Sequence, residues 1–151
     1  MRRLCYIVML LLACACTTQT RYYQYRPVND KAWHQSDTIS FDVQLDDSIH
    51  SHQLEVGMRY TKQYPYQNFK IGVIVLSSDS QFLSTQNIVY QITDEAGNNL
   101  GSGQNSLYQL TSNPIILSPF AHGSCIILLN QRMNDSIISG IHDVGIKISR
   151  K

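Results

Sequence analysis

The stretch Ile39-Ser40-Phe41-Asp42-Val43-Gln44-Leu45 decides the fold class of this chain. Large apolar side chains alternate in it with small or polar ones at a period of two residues. Successive side chains of an extended chain point to opposite faces, so this pattern predicts a strand with one face in the core and one in solvent. A surface helix would need apolar residues three and four positions apart.

The same period returns along most of the chain, between segments rich in turn-forming residues such as Asp94 to Asn99. The predicted strands cover residues 39–45, 54–60, 69–76, 88–92, 100–104, 107–117, 124–129 and 144–148. Two glycines interrupt the fifth of these segments, and Pro114 divides the sixth, so short strands are expected there. We therefore predict seven to nine short strands and no helix of useful length.

Many short strands with turns between them are typical of two packed antiparallel sheets. We predict an all-β fold, an antiparallel β-sandwich of immunoglobulin-like or jelly-roll-like topology. The sequence leaves these two topologies open. We expect residues 31–151 to form a single β-sandwich domain.

The N-terminus has the features of a cleaved signal peptide. Arg2 and Arg3 precede an uncharged, apolar run that is shorter than the roughly 20 residues needed to span a bilayer. The run ends in Leu11-Leu12-Ala13-Cys14, the order of a large aliphatic residue, a small residue and a cysteine that lipoprotein signal peptidase requires. We predict a lipoprotein signal peptide at residues 1–13.

The lipidated residue is predicted to be Cys14, with Cys16 as the alternative because a small residue also precedes it. Two or three acyl chains would anchor the protein stably to a membrane. Residues 14–30 are interpreted as the lipidated cysteine and a tether, since they are polar and aromatic. No acidic cluster follows the cysteine, which favours a periplasm-facing outer-membrane lipoprotein over a surface-exposed one.

Composition excludes several classes of function. Cleavage after residue 13 changes the net charge from +1 to −1, so no attraction to nucleic acid is expected. His50 and His52 have the spacing of two metal ligands on a strand but lack a third ligand nearby, and we interpret them as a solvated loop. No nucleophile motif or phosphate loop is present. We predict no enzyme activity, no metal, no cofactor and no small-molecule substrate, and interpret Cys125 as a buried core thiol.

Aromatic residues are the strongest binding candidates. Trp33, Tyr64 and Tyr66 are candidate contacts to a glycan or a protein partner, because exposed aromatic rings stack on sugars and anchor interfaces. The structural alternative is that Tyr64 and Tyr66 pack around the corner that Pro65 fixes.

Three triplets of an acidic, a hydroxyl and an aliphatic residue resemble the O-glycosylation acceptors that some gliding and gut bacteria use on periplasmic proteins. The candidate acceptors are Thr38, Ser48 and Ser136.

Four groups of residues resemble the family of gliding motility lipoproteins called GldH. They are Trp33 with Asp37 and the 39–45 strand, Met58-Arg59-Tyr60, Tyr64-Pro65-Tyr66-Gln67-Asn68-Phe69, and Gln131 and Met133 followed by residues 140–148. With the lipoprotein start, the likeness covers nearly the whole mature chain and is weakest over residues 76–113. Cys125 and Ile126 depart from it where an aromatic residue is expected, and Asn134 departs where an arginine is expected.

The resemblance implies a non-enzymatic envelope lipoprotein of the gliding machinery, whose motor parts overlap with type IX secretion. It implies partners among the envelope proteins of that machinery. The motif residues themselves indicate structure: Gly145 would allow close packing by a neighbouring strand or large side chain, and Asp143 would cap the turn from Gly140. A glycan-binding sandwich of the outer membrane is the alternative function.

Overall fold

The computed structural model describes residues 20–45, 49–119 and 123–151. The predicted signal peptide at residues 1–13, Cys14 and Cys16 lie outside the described residues. Within the described ranges there are twelve strands, one short 3-10 helix and no α-helix. No helix in these ranges is long and apolar enough to cross a bilayer. The all-β fold class is confirmed.

The elements follow one another along the chain with short connections. The strands are β1 (Thr20–Pro27), β2 (Ala32–His34), β3 (Thr38–Gln44), β4 (His52–Thr61), β5 (Asn68–Ser77), β6 (Phe82–Gln91), β7 (Ser102–Gln104), β8 (Leu107–Thr111), β9 (Ile115–Leu117), β10 (Ser124–Gln131), β11 (Ile137–Ser139) and β12 (Ile141–Arg150). The 3-10 helix covers Asn29–Lys31, between β1 and β2.

The strand order identifies a jelly roll. One sheet has the order β1-β12-β4-β8-β7, with β9 also pairing with β4, and the other has the order β3-β10-β5-β6. Among the eight principal strands β1, β3, β4, β5, β6, β8, β10 and β12, the first pairs with the last, the second with the seventh, the third with the sixth and the fourth with the fifth. This is the pairing of one long hairpin rolled into two antiparallel sheets, so the jelly-roll-like alternative is the correct one.

The core lies between the two larger sheets and has the alternation that the sequence predicts. Phe41 and Val43 of β3 are buried while Asp42 between them is exposed. A direct hydrogen bond also joins the sheets, because the hydroxyl of Tyr90 on β6 donates to the carbonyl oxygen of Val56 on β4 at 2.7 Å. Cys125 is a free, buried thiol, as expected, and burial raises its pKa to about 12.

Two expectations about the chain are wrong. The tether predicted at residues 14–30 is too long, since Thr20–Pro27 form β1 and pair with β12 from Thr20 opposite Ser149 to Pro27 opposite Asp143. His52 is not in a solvated loop: it is fully buried as the first residue of β4. The structure also contains a small sheet that the sequence does not predict, formed by β2 and β11 with three residues each.

Candidate functional site

Two of the three aromatic candidates lie in the core. Trp33 is 1% exposed, and its indole nitrogen donates to the carbonyl oxygen of Asp37 at 3.1 Å. Tyr64 is 8% exposed, and its hydroxyl donates to the carbonyl oxygen of Asn68 at 2.7 Å. Both rings pack on Phe69, at centroid distances of 5.8 and 5.9 Å. The prediction that Trp33 and Tyr64 contact a ligand directly is therefore wrong, because their rings face other core residues.

Tyr66 is partly exposed at the rim of a shallow cavity of about 200 Å³. Its hydroxyl hydrogen bonds to the carboxylate of Asp135, and this bond raises the pKa of the tyrosine. The ring also packs edge-on against Tyr64 at 5.6 Å. Tyr66 thus stays a candidate contact, although it also has the structural role of joining the corner at Pro65 to the loop before β11.

Two of the three candidate glycosylation residues are exposed to solvent. Thr38 is exposed at the start of β3, and Ser136 is exposed in the loop that leads to β11. Ser48 lies outside the described residues. Exposure leaves Thr38 and Ser136 accessible to an enzyme, and their modification stays a prediction.

A larger surface site lies on the outer face of the six-stranded sheet. It is a groove of about 480 Å³, which we call the outer-face groove. Its lining residues are Thr20, Tyr23, Tyr25, Glu55, Gly57, Gln109, Thr111, Ile146 and Lys147. These residues come from β1, β4, β8 and β12, so the site exists only because the jelly roll places the first and last principal strands side by side.

Two glycines form the floor of the outer-face groove. Tyr25 of β1 lies opposite Gly145 of β12, Gly145 lies opposite Gly57 of β4, and Gly57 lies opposite Thr111 of β8. The side chain of Tyr25 lies across both glycines: a Cβ atom on Gly57 would overlap its hydroxyl, and one on Gly145 would lie 2.5 Å from its ring. The expectation that Gly145 admits a large side chain is confirmed, and that side chain is Tyr25.

A row of charged residues flanks the glycines. The guanidinium of Arg59 donates two hydrogen bonds to the carboxylate of Asp143, each of 2.6 Å. These bonds raise the pKa of Arg59. Its guanidinium carbon also lies 4.6 Å from the ring centroid of Tyr25. Asp143 therefore does not cap the turn from Gly140, because its carboxylate is held by Arg59 and by Nδ1 of His142 at 2.8 Å.

The opposite wall of the outer-face groove combines an aromatic ring with polar groups. Tyr23 is 62% exposed and packs edge-on against Tyr25 at 5.6 Å. Next to Tyr23 in the sheet lies Lys147, whose ammonium forms a 2.9 Å ion pair with Glu55. The amide of Gln109 and the hydroxyl group of Thr111 also line the groove. An exposed ring next to a charged pair and these polar groups is suited to bind a polar ligand or a polar protein surface.

The outer-face groove offers polar and aromatic contacts to a ligand. Among the described residues, no three side chains of the His, Cys, Asp or Glu type are placed to hold a metal ion. Burial raises the pKa of Tyr25, so its hydroxyl is protonated in the groove at neutral pH. The groove thus offers hydrogen bonds, a fixed charge pair and one exposed ring.

The sequence could have indicated this site through its glycines. Gly57 and Gly145 interrupt strands that otherwise alternate, which marks a close approach by another group. The residue pattern does not single out Tyr23 and Tyr25, because polar and aromatic residues directly after a lipidation signal predict a tether.

Known proteins show similarity at the level of sequence and of overall shape. The family model of the GldH lipoprotein matches residues 20–148. The gliding motility lipoprotein GldH of Flavobacterium johnsoniae is 23% identical over an alignment of 157 residues, which covers 96% of this chain and 94% of that protein.

Two solved structures are similar in outline. The VP2 subviral particle of infectious bursal disease virus has a TM-score of 0.39 at 15% identity, with 88% of this chain covering 31% of that one. Dimeric latent PorU from Porphyromonas gingivalis has a TM-score of 0.37 at 8% identity, with 92% of this chain covering 14% of that one. The family model spans three of the four strands of the outer-face groove, β1, β4 and β8, and all but the last two residues of the fourth, β12, and on this match the chain belongs to the GldH lipoprotein family.

Proposed function

We propose that this chain is a non-enzymatic, lipid-anchored structural or adaptor component of the gliding motility machinery in the bacterial envelope, linked to type IX secretion. The observation that carries the proposal is the family match over residues 20–148, together with the similarity over nearly its full length to a gliding motility lipoprotein. An adaptor needs a rigid domain and a binding face, and the outer-face groove is such a face.

The anchor would hold this groove close to the membrane. Thr20, the first residue of β1, follows Cys14 by six residues, so even an extended chain keeps it within about 20 Å of the acylated cysteine. Thr20 also lines the outer-face groove. A partner in this groove would therefore be a membrane protein or an envelope protein held near the bilayer.

Gene replacement tests the adaptor function. Cells without the gene should lose colony spreading, or secretion through the type IX system in a host that does not glide, and the wild-type gene should restore it. Tyr23→Ala should restore less than Ile116→Ala, a matched control that truncates another exposed apolar residue outside the groove. Intact spreading and secretion in the deletion strain would refute the proposal.

The proposed location is the periplasmic side of the outer membrane, supported by the absence of acidic residues directly after Cys14. Protease added to intact cells should spare the protein and should degrade it once the outer membrane is permeabilised. Degradation in intact cells would place the domain on the surface instead.

Glycan binding is the second candidate function, and Tyr23 is the observation that favours it. A sugar ring has an apolar face that stacks on an aromatic side chain and hydroxyl groups that need polar partners. Tyr23, Gln109 and Thr111 supply both kinds of contact within one groove. Calorimetry with envelope oligosaccharides should show binding by the wild type and by Ile116→Ala, and none by Tyr23→Ala. Absence of heat with every sugar tried on the wild type would contradict this function.

A further inference from the structure

The outer edge of β6 takes no part in the function proposed above. Within the described residues β6 pairs with β5 on one side only, and it ends the four-stranded sheet. The backbone N–H and carbonyl groups of its other side can pair with an added strand.

β6 lacks the features by which sheet edges are usually protected. Its ten residues, Phe82–Gln91, include no charged residue, no proline and no glycine. The other edges of the two larger sheets are protected: β1 carries two arginines and ends at Pro27, β3 carries Asp42, and β7 and β9 have only three residues each. Charges, proline and short length all disfavour pairing between edges, so β6 is the one long edge strand described that is open to it.

The edge of β6 is also apolar where it meets solvent. Phe82, Leu83 and Val89 are 65%, 48% and 60% exposed. A groove of about 430 Å³ runs beside the second half of the strand, with Leu110 and Ile115 in its lining. An added strand would cover apolar surface as well as form backbone hydrogen bonds.

We propose that β6 pairs antiparallel with β6 of a second copy of this chain, across a two-fold axis, so that two four-stranded sheets join into one of eight strands. In a two-fold antiparallel pair the first half of the strand lies opposite the second half of its copy, and only residues near the axis lie opposite themselves. Because β6 carries no charge, no like charges meet in any register of this pair, and its exposed apolar residues, Leu83 in the first half and Val89 in the second half, can face each other.

The geometry limits where the centre of the pair can lie. A two-fold axis perpendicular to the sheet keeps every side chain on its own face, and directly opposite residues share a face, so the axis must pass midway between one residue and its own copy. The middle residues of β6 are Gln86 and Asn87. A centre at Gln86 places the exposed Leu83 of one copy directly opposite the exposed Val89 of the other, and a centre at Asn87 places these two residues diagonally, two positions apart. This dimer is independent of the function proposed above.

Cysteine crosslinking of the full-length protein in cells tests the pairing. Residues directly opposite in an antiparallel pair have Cα atoms about 4.5 to 5.5 Å apart, within the range of a disulfide. Under mild oxidation Gln86→Cys or Asn87→Cys should give a covalent dimer, whereas Asp42→Cys on the β3 edge should give no more than the unaltered protein. Absence of dimer from both β6 variants, equal dimer from Asp42→Cys, or a disulfide to a different protein would overturn the proposal.

A charge swap provides a second test with its own control. The full-length lipoprotein in detergent should have the mass of a dimer by light scattering. Asn87→Lys and Asn87→Glu should each be monomeric, and their mixture should regain the dimer, because opposite charges then face each other. Gln44→Lys on β3 is the matched control and should stay dimeric, while circular dichroism checks that every variant is folded. A monomeric wild type, or a dimeric Asn87→Lys, would contradict the pairing.

Discussion

Arg59 and Asp143 join two distant parts of the chain through a two-bond salt bridge on the outer face of the six-stranded sheet. They are 84 residues apart in sequence, and both of their hydrogen bonds are 2.6 Å long. Met58-Arg59-Tyr60 and the segment 140–148 are two of the groups that resemble the GldH family, and the fold brings them to one place. These two groups of residues therefore contribute to one surface of the protein as well as to its core.

This salt bridge should be asymmetric in its contribution to stability. The Asp143 side chain is 6% exposed and that of Arg59 is 36% exposed. Removal of the arginine leaves a carboxylate that solvent hardly reaches with His142 as its remaining partner, whereas Arg59 can be hydrated when the acid is removed. Arg59→Met should lower the free energy of unfolding by about 1–3 kcal/mol, and Asp143→Asn by less. Urea unfolding measures both. Equal losses, or a larger loss for Asp143→Asn, would contradict this account.

Alanine substitutions at the two glycines below Tyr25 should differ in whether a second substitution, Tyr25→Phe, restores stability. Gly57→Ala and Gly145→Ala should each lower the free energy of unfolding by about 1–3 kcal/mol, because the added methyl group displaces the tyrosine. Tyr25→Phe removes the hydroxyl that a Cβ on Gly57 would overlap, but leaves the ring atoms nearest to Gly145. The double variant with Gly57→Ala should therefore regain part of the loss, and the one with Gly145→Ala should not. Equal rescue at both positions would disprove the placement of Tyr25.

Trp33 is the only tryptophan of the chain and reports on the core. At 1% exposure its fluorescence should be emitted at short wavelength, be shielded from acrylamide quenching, and shift to the red on unfolding. Trp33→Ala should cost about 3–5 kcal/mol of stability, and Tyr66→Ala, at the surface, should cost less. Quenching of the native protein as strong as that of the unfolded chain would return Trp33 to the list of surface contacts.

Asp94 should give the turn after β6 a pH-dependent stability. Its carboxylate accepts hydrogen bonds from the side-chain amide and the backbone N–H of Asn98, both of 2.8 Å. These bonds lower its pKa from 3.8. The folded state favours the ionised form of Asp94. The contribution of this carboxylate to the free energy of unfolding is therefore complete above its ordinary pKa and is lost as the pH falls through its lower pKa in the folded state.

The difference in unfolding free energy between wild type and Asp94→Asn should therefore be largest near neutral pH and shrink below about pH 4. Glu95→Gln is the control, because it neutralises the adjacent carboxylate, which does not take part in these bonds. A difference that grows on acidification would show the opposite sign of the pKa shift.

The sequence predicts those strands whose inner faces are mainly apolar. β3, β4, β5, β10 and β12 are of this kind, and each extends at most three residues beyond the predicted bounds. β1 has no such pattern because it lies at an edge, where its inner face can carry polar residues: Arg26 there covers the ring of Phe41, at 5.4 Å from the ring centroid. β2 and β11, with three residues each, are too short to show a period.

The pairing of the strands could not be derived from local patterns. Whether the first principal strand pairs with the last depends on contacts between the two ends of the chain, and residue alternation carries no information on them. The same limit applies to the outer-face groove. Tyr23 and Tyr25 are found beside Gly57 and Gly145 only once β1, β12 and β4 are known to be neighbours.

The central claim is that the outer-face groove holds a component of the motility or secretion machinery. The most direct test is a photo-crosslinking amino acid placed at Gln109, within the groove, in cells that express the full lipoprotein. The account predicts a crosslinked motility or secretion protein from position 109, lost with Tyr23→Ala and absent when the same group is placed at Ile116. Identical products from both positions, or only abundant envelope proteins from position 109, would contradict it.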